Sequence, residues 1–250
     1  MPNRTQVFGG IMLAMSGYLP VRGQTHLGTI YHADNHNGAV LVFAENHGFV
    51  PYTIMLRANL KRMHCPDTLP ARFVVFPSKQ PQVLTTFTYN PADAYEYGYS
   101  TDTQFGIYTG HAPDSSYVYA LPFQQGIRPE YKFFDERNKR KMHHHYFFNL
   151  PENTAVRAVR EGIVANLRQD IEHPKGDNSN FIIVFHEDGT YAEYQDFNRN
   201  SVPFQIGQRV GKGEVICYAS GLKKHWLRLC VQYPGASGAK ELPVVFESGK

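Results

Sequence analysis

The sequence predicts an all-β protein, and three observations carry that reading. Short β-branched and aromatic runs recur along the chain, clusters of Gly, Asp, Asn and Pro separate them, and Tyr and Phe are abundant at 16 and 17 residues. Such runs between turn residues are the pattern of strands, and aromatic side chains suit the half-buried surface of a sheet. The chain has 250 residues. At ~100–200 residues per domain, that length points to two domains.

The first segment, 1–23, has the form of a secretory signal. Arg4 supplies a positive start, Val7 to Leu19 an apolar stretch, and Val21-Arg22-Gly23 a cut site before Gln24. The stretch is short and Gly-interrupted for a membrane span. Its other reading is a buried first strand. No later segment is apolar enough to cross a bilayer, so no transmembrane segment is expected once the signal is removed.

From Gly28 to Tyr119 the runs Ala39–Ala44, Tyr52–Leu60, Ala71–Phe76 and Val83–Tyr89 read as strands. Asn46-His47-Gly48, Cys65 to Pro70 and Pro77 to Pro81 supply the turns between them. Strands at this spacing predict a small sandwich of immunoglobulin-like shape over residues 24–118. Tyr97 to Gln104 reads as a polar loop or an edge strand, its tyrosines packing on the surface or stacking on a ligand. Tyr131 to Arg137 predicts one more strand. The run Arg137 to Lys141 reads as a solvated loop. In Met142-His143-His144-His145, alternation places His143 and His145 on one side and His144 on the other.

Leu150 to Tyr218 is the densest β stretch. Thr154–Ala165, Asn180–Tyr194 and Val202–Tyr218 are successive hydrophobic runs. Glu187-Asp188-Gly189 predicts a hairpin turn, since Gly accepts positive φ without a Cβ clash. Gly211-Lys212-Gly213 is expected to play the same part between Gln208–Val210 and Glu214–Ile216. His186 reads as structural. His173 to Asn178 reads as a loop inserted between strands. After Val231 a Gly/Ser turn leads to a last strand, Leu242–Phe246.

Four of these stretches resemble, in the same order, the lysostaphin/LytM-type zinc endopeptidases that cut peptide crosslinks in bacterial cell walls. They are Leu150–Val164, Phe181–Tyr194, Ile206–Tyr218 and Trp226–Gln232, together about the last two fifths of the chain. The resemblance implies an antiparallel β-domain of the duplicated hybrid motif type over residues 119–250. Tyr119-Ala-Leu-Pro-Phe-Gln-Gln-Gly126 is similar to the segment that joins a β module to the peptidase domain in some envelope proteins of this type. The domain boundary is placed there.

The family's chemistry is the part that this chain alters. A catalytic zinc takes three protein ligands and an open position for water. The resemblance aligns the three ligand positions with His143, Phe147 and Arg228, and the two catalytic His positions with Asp196 and Trp226. A phenyl ring has no lone pair for a metal, and a guanidinium places a cation where the dication would sit. Zinc is therefore not expected. His143, His145, Asp196, His225 and Arg228 remain as candidate groove contacts. The alternative is an active endopeptidase with a displaced ligand set drawn from the His cluster and Asp196. On a strand, His225 would face opposite to Trp226.

Composition adds boundaries. The formal charge of +3 is too small to indicate a nucleic-acid partner. Three cysteines, Cys65, Cys217 and Cys230, make no disulfide framework. In the resembled fold Cys217 and Cys230 fall on neighbouring strands, so they are expected either to pair in an oxidising compartment or to be two small buried residues. The resemblance and the signal together imply a periplasmic or secreted protein of the bacterial envelope. Its expected partners are peptidoglycan or a cell-wall hydrolase, with catalysis lost.

Overall fold

In Ala39–Glu45 every second residue is buried and the others are half exposed, as a strand with one face on a core requires. The same alternation builds most of the chain. The computed structural model describes residues 28–124, 126–127, 130–134, 144–172, 178–220 and 226–247. Among these residues there are nineteen strands and no helix. The signal-like segment 1–23, the basic run 137–141, His143, His225 and most of the 173–178 loop lie outside the described residues.

The N-terminal strands are β1 (Thr29–Asp34), β2 (Ala39–Glu45), β3 (Tyr52–Lys61), β4 (Met63–His64), β5 (Ala71–Val75), β6 (Gln82–Tyr89) and β7 (Glu96–Phe105). They form two antiparallel sheets, ordered β1-β2-β6-β4 and β5-β3-β7. Val40, Val42 and Phe87 from the first sheet meet Leu56 from the second in a shared core. The stretch expected as a loop or edge strand is the edge strand β7. Tyr97 and Tyr99 pack against that same core rather than standing free, with His32 edge-on to both rings.

The C-terminal strands are β8 (Val118–Tyr119), β9 (Glu130–Phe134), β10 (His145–Asn149), β11 (Ala155–Arg157), β12 (Gly162–Arg168), β13 (Phe181–Phe185), β14 (Tyr191–Gln195), β15 (Arg209–Val210), β16 (Val215–Tyr218), β17 (Leu227–Gly235), β18 (Gly238–Leu242) and β19 (Val245–Phe246). The large antiparallel sheet runs β15-β12-β13-β14-β17-β10-β9, with β18 also paired to β17. β11 pairs with β16 in a small separate sheet, and β8 pairs in parallel with β19. One face of the large sheet carries Tyr146, Phe148, Val164, Ile182, Val184, Ala192, Tyr194, Leu227, Leu229 and Val231 into the main core, which Val156, Ile216 and Cys217 of the small sheet close.

Two turns show how local chemistry and pairing separate. Glu187-Asp188-Gly189 does join paired strands: His186 N donates to Thr190 O at 2.8 Å, Asp188 Oδ1 accepts from Thr190 N at 3.0 Å, and Gly189 has φ of 87°. Gly211-Lys212-Gly213 is a turn, with Glu214 N donating to Gly211 O at 3.1 Å, but it is not a hairpin. β15 before it pairs with β12, and β16 after it pairs with β11, so the chain changes sheets there. The last strand is likewise divided. β18 folds back on β17 before Val245–Phe246 leaves to pair with β8.

Of the two readings of Cys217 and Cys230, the structure bears out the buried one and not the pairing. Cys65, Cys217 and Cys230 are all free thiols. Cys217 lies in the main core, whereas Cys230 alternates with Leu229 and Val231 and so points from the opposite face of the large sheet. β16 and β17 are not neighbours, and the sheet itself separates the two sulfurs.

The N-terminal sheets cover one end of that opposite face. Val50, Phe105 and Ile107 pack on Ala165, Phe181, Ile183, Phe185 and Tyr191. Phe105 and Tyr191 have ring centroids 6.0 Å apart. Ile107 N donates to Gly189 O at 3.3 Å, and a Cβ on Gly106 would come within 2.4 Å of that oxygen. Glycine is required there by close backbone approach as well as by its φ of 91°.

Candidate functional site

Strand alternation dictates what the outer face of the large sheet presents. On β14 the residues facing away from the main core are Tyr191, Glu193 and Gln195. On β17 they are Arg228, Cys230 and Gln232. Register then aligns them: Tyr191 is opposite Gln232, Glu193 opposite Cys230, and Gln195 opposite Arg228. β10 and β18 lie end to end along the far side of β17, since Phe147 pairs with Arg228 and Glu241 pairs with Gln232. Three columns of side chains result: Tyr191, Glu193 and Gln195; Gln232, Cys230 and Arg228; and Glu241, His145 and Phe147.

Hydrogen bonds run through this lattice. Tyr191 Oη donates to Gln232 Oε1 at 2.7 Å, and Gln232 Nε2 donates to Cys230 Sγ at 3.2 Å. Cys230 Sγ lies 4.0 Å from Glu193 Oε2. Gln195 Nε2 donates to Glu193 Oε1, and Arg228 Nη2 donates to Gln195 Oε1. Across the face, His145 Nε2 meets Glu241 Oε1 at 2.8 Å, and the His144 backbone N–H donates to Glu241 Oε2. Burial raises the Cys230 thiol well above its ordinary value, and the neighbouring Glu193 carboxylate adds to that. Tyr191 is raised for the same two reasons. Both groups stay protonated at neutral pH, so Cys230 has none of the thiolate character that a nucleophile needs.

Burial grades across the lattice. Tyr191, Glu193 and Cys230 are buried, while Gln195, Arg228, Phe147 and His145 are half exposed. The partly open end is therefore the row Gln195–Arg228–Phe147, with His145 beside it.

The structure brings together some of the residues singled out in the sequence. Phe147 and Arg228 are direct cross-strand partners with side chains on one face, and His145 is on that face too. Asp196 directly follows Gln195, at a bend after β14 with φ of 65°, where its backbone N donates to Asn180 O at 3.1 Å. Trp226 immediately precedes β17 and is half exposed. His143 and His225 are outside the described residues. The zinc that the resemblance implies does not fit the donors at the paired positions: neither a phenyl ring nor a protonated guanidinium offers a lone pair. Among the described residues, no group of three or more His, Cys, Asp or Glu side chains is arranged to hold a metal ion.

Sequence reasoning missed Glu193, Gln195, Cys230, Gln232 and Glu241. The signal was present as polar residues at every second position of Tyr191–Gln195 and Arg228–Gln232. Such alternation marks a face distinct from the core.

His186, expected to be structural, is fully buried, and its ring Nδ1 lies 2.8 Å from Glu161 O. Desolvation lowers its pKa from 6.5 to about 4. It is thus a neutral ring bonded to backbone, remote in role from the lattice.

No protein-family model and no curated protein matches the sequence. Among solved structures, the chain is similar to a Ruminococcus gnavus protein assigned as a LytM glycyl-glycine endopeptidase, with 14% identity over 53% of this chain and 64% of that one, at a TM-score of 0.36. It is similar to the catalytic domain of lysostaphin from Staphylococcus simulans, with 19% identity over 50% of this chain and 86% of that domain, at a TM-score of 0.30. It is also similar to Csd3 of Helicobacter pylori, with 13% identity over 77% of this chain and 46% of that one, at a TM-score of 0.35. The chain thus spans less than two thirds of the first and the last of these. The fold of this chain is itself all-β and largely antiparallel among the described residues.

Proposed function

We propose that this chain is a non-catalytic protein of the bacterial envelope that binds peptidoglycan, or a cell-wall hydrolase acting on it, through the outer face of its large sheet. The reading takes residues 1–23 as an export signal, 24–118 as an immunoglobulin-like module and 119–250 as the LytM-type domain. One observation carries it: the adjacent pair Phe147 and Arg228, with Gln195 bonded to the guanidinium, stands where the resemblance puts metal ligands. A site of this composition can hold a polar polymer by hydrogen bonds and ring contact. Neither a phenyl ring nor a guanidinium offers the lone pair that a water-activating metal takes up.

Co-sedimentation of the full chain with purified cell-wall sacculi tests this reading. Binding that persists in a chelator, without release of soluble wall peptides, is the expected result. Chelator-sensitive release of wall fragments would establish an active endopeptidase with a displaced ligand set instead. Absence of binding both to sacculi and to wall hydrolases would leave a structural β-domain only.

A further inference from the structure

We propose that Arg228 anchors a free carboxylate of the bound peptide, a chain-terminal carboxylate in particular. This rests on the reading that the outer sheet face receives wall peptides, and it names the group that the face recognises. Arg228 is half buried, and its Nε is fully enclosed with no acceptor. Its Nη2 is directed by Gln195, whose amide is fixed at both ends because Oε1 accepts from Arg228 while Nε2 donates to Glu193. Gln195 therefore links the guanidinium to the buried Glu193 carboxylate of the same sheet face. None of the ion pairs among the described residues includes Arg228.

A guanidinium held partly out of water without a counter-charge is costly, and an incoming anion offsets that cost. The planar fork of N–H groups fits the two oxygens of a carboxylate, which an ammonium does not match. Phe147, directly across on β10, supplies an apolar wall for the atoms attached to that carboxylate. Charge, orientation and wall thus select a carboxylate-bearing peptide over a neutral one.

The experiment is a titration of the full chain, followed by NMR or calorimetry, with N-acetyl-trialanine, its C-terminal amide, and N-acetyl-glutamate diamide as the side-chain carboxylate probe. The free acid is expected to bind about tenfold tighter than the amide, the usual scale for losing a charge-assisted hydrogen bond. Arg228→Gln should abolish that preference, and its urea denaturation curve reports whether the variant is folded. Should Arg228→Gln fail to fold, the acid-to-amide ratio of the native chain and its decline with added salt decide alone. A glutamate probe that matches the acid would move the source from chain terminus to side chain and overturn the terminal assignment. Equal binding of acid and amide by the native chain, or no binding of either, would overturn the proposal entirely, and so would a preference surviving in Arg228→Gln. Sacculi that still sediment with the chain in those cases would leave the peptidoglycan reading standing. Sacculi that do not would remove that reading as well.

Discussion

Phe147 and Arg228 are cross-strand partners on β10 and β17, and both side chains leave the sheet on the face opposite the main core. The rest of the lattice is arranged around this pair. Gln195 extends the row on β14, and His145, bonded to Glu241, flanks it. Polar groups on this face are tied to one another, which holds their side chains in place.

The core beneath the face contains a buried side-chain bond. The Val159 N–H donates to Tyr194 Oη at 2.8 Å, and burial pushes that phenol far above its usual value. Tyr194→Phe leaves the Val159 donor without a partner, and the expected loss is about 1–3 kcal/mol. Urea denaturation checks it. An unchanged midpoint would show that another acceptor replaces the phenol.

His186 makes stability depend on pH. Its pKa falls from 6.5 in the unfolded chain to about 4 in the folded protein, chiefly through desolvation. The unfolded state therefore binds the proton more readily. The neutral ring's contribution is fully present above the unfolded value and is lost as pH falls through the folded value. Between 6.5 and about 4 the expected loss is roughly 3 kcal/mol, at about 1.4 kcal/mol per unit. Comparing denaturation curves of the native protein and His186→Asn across that window isolates the effect. Parallel pH profiles would contradict it.

Phe105 joins the two halves of the molecule. It is buried against Tyr191 and packs in one cluster with Phe181, Ile183 and Phe185. Phe105→Ala should cost about 3–5 kcal/mol if the cavity does not collapse. The loss should appear as faster proteolysis in the segment 107–117 that follows β7. Proteolysis at the native rate would mean that Val50 and Ile107 hold the contact without it.

The three cysteines are free, and Cys217 and Cys230 are buried. Reductant should leave the melting temperature unchanged. A thiol reagent should modify Cys217 and Cys230 only as the protein unfolds, since burial raises both thiols. A reductant-sensitive melt would require a bridge that this fold keeps apart.

What the sequence disclosed was local. The runs Ala39–Ala44, Tyr52–Leu60 and Phe181–Phe185 are strands because their composition suits no other element, and Asp188-Gly189 is a hairpin turn because its side-chain and backbone bonds are made within four residues. Pairing between distant strands was hidden. Gly211-Lys212-Gly213 has the chemistry of a turn, but nothing within it states that β15 and β16 belong to different sheets. The same gap concealed the lattice. Glu193 meets Cys230, and Gln195 meets Arg228, only through the register of β14 on β17. The two cysteines looked pairable for the same reason, since their faces depend on a topology that spacing does not encode.

The proposal rests on Phe147 and Arg228 standing at the positions that the resemblance assigns to metal ligands. The most direct measurement is the zinc content of the native full chain, purified without chelator and analysed alongside His143→Ala. The account predicts substoichiometric zinc that the substitution leaves unchanged. Stoichiometric, tightly held zinc that disappears in His143→Ala would contradict it.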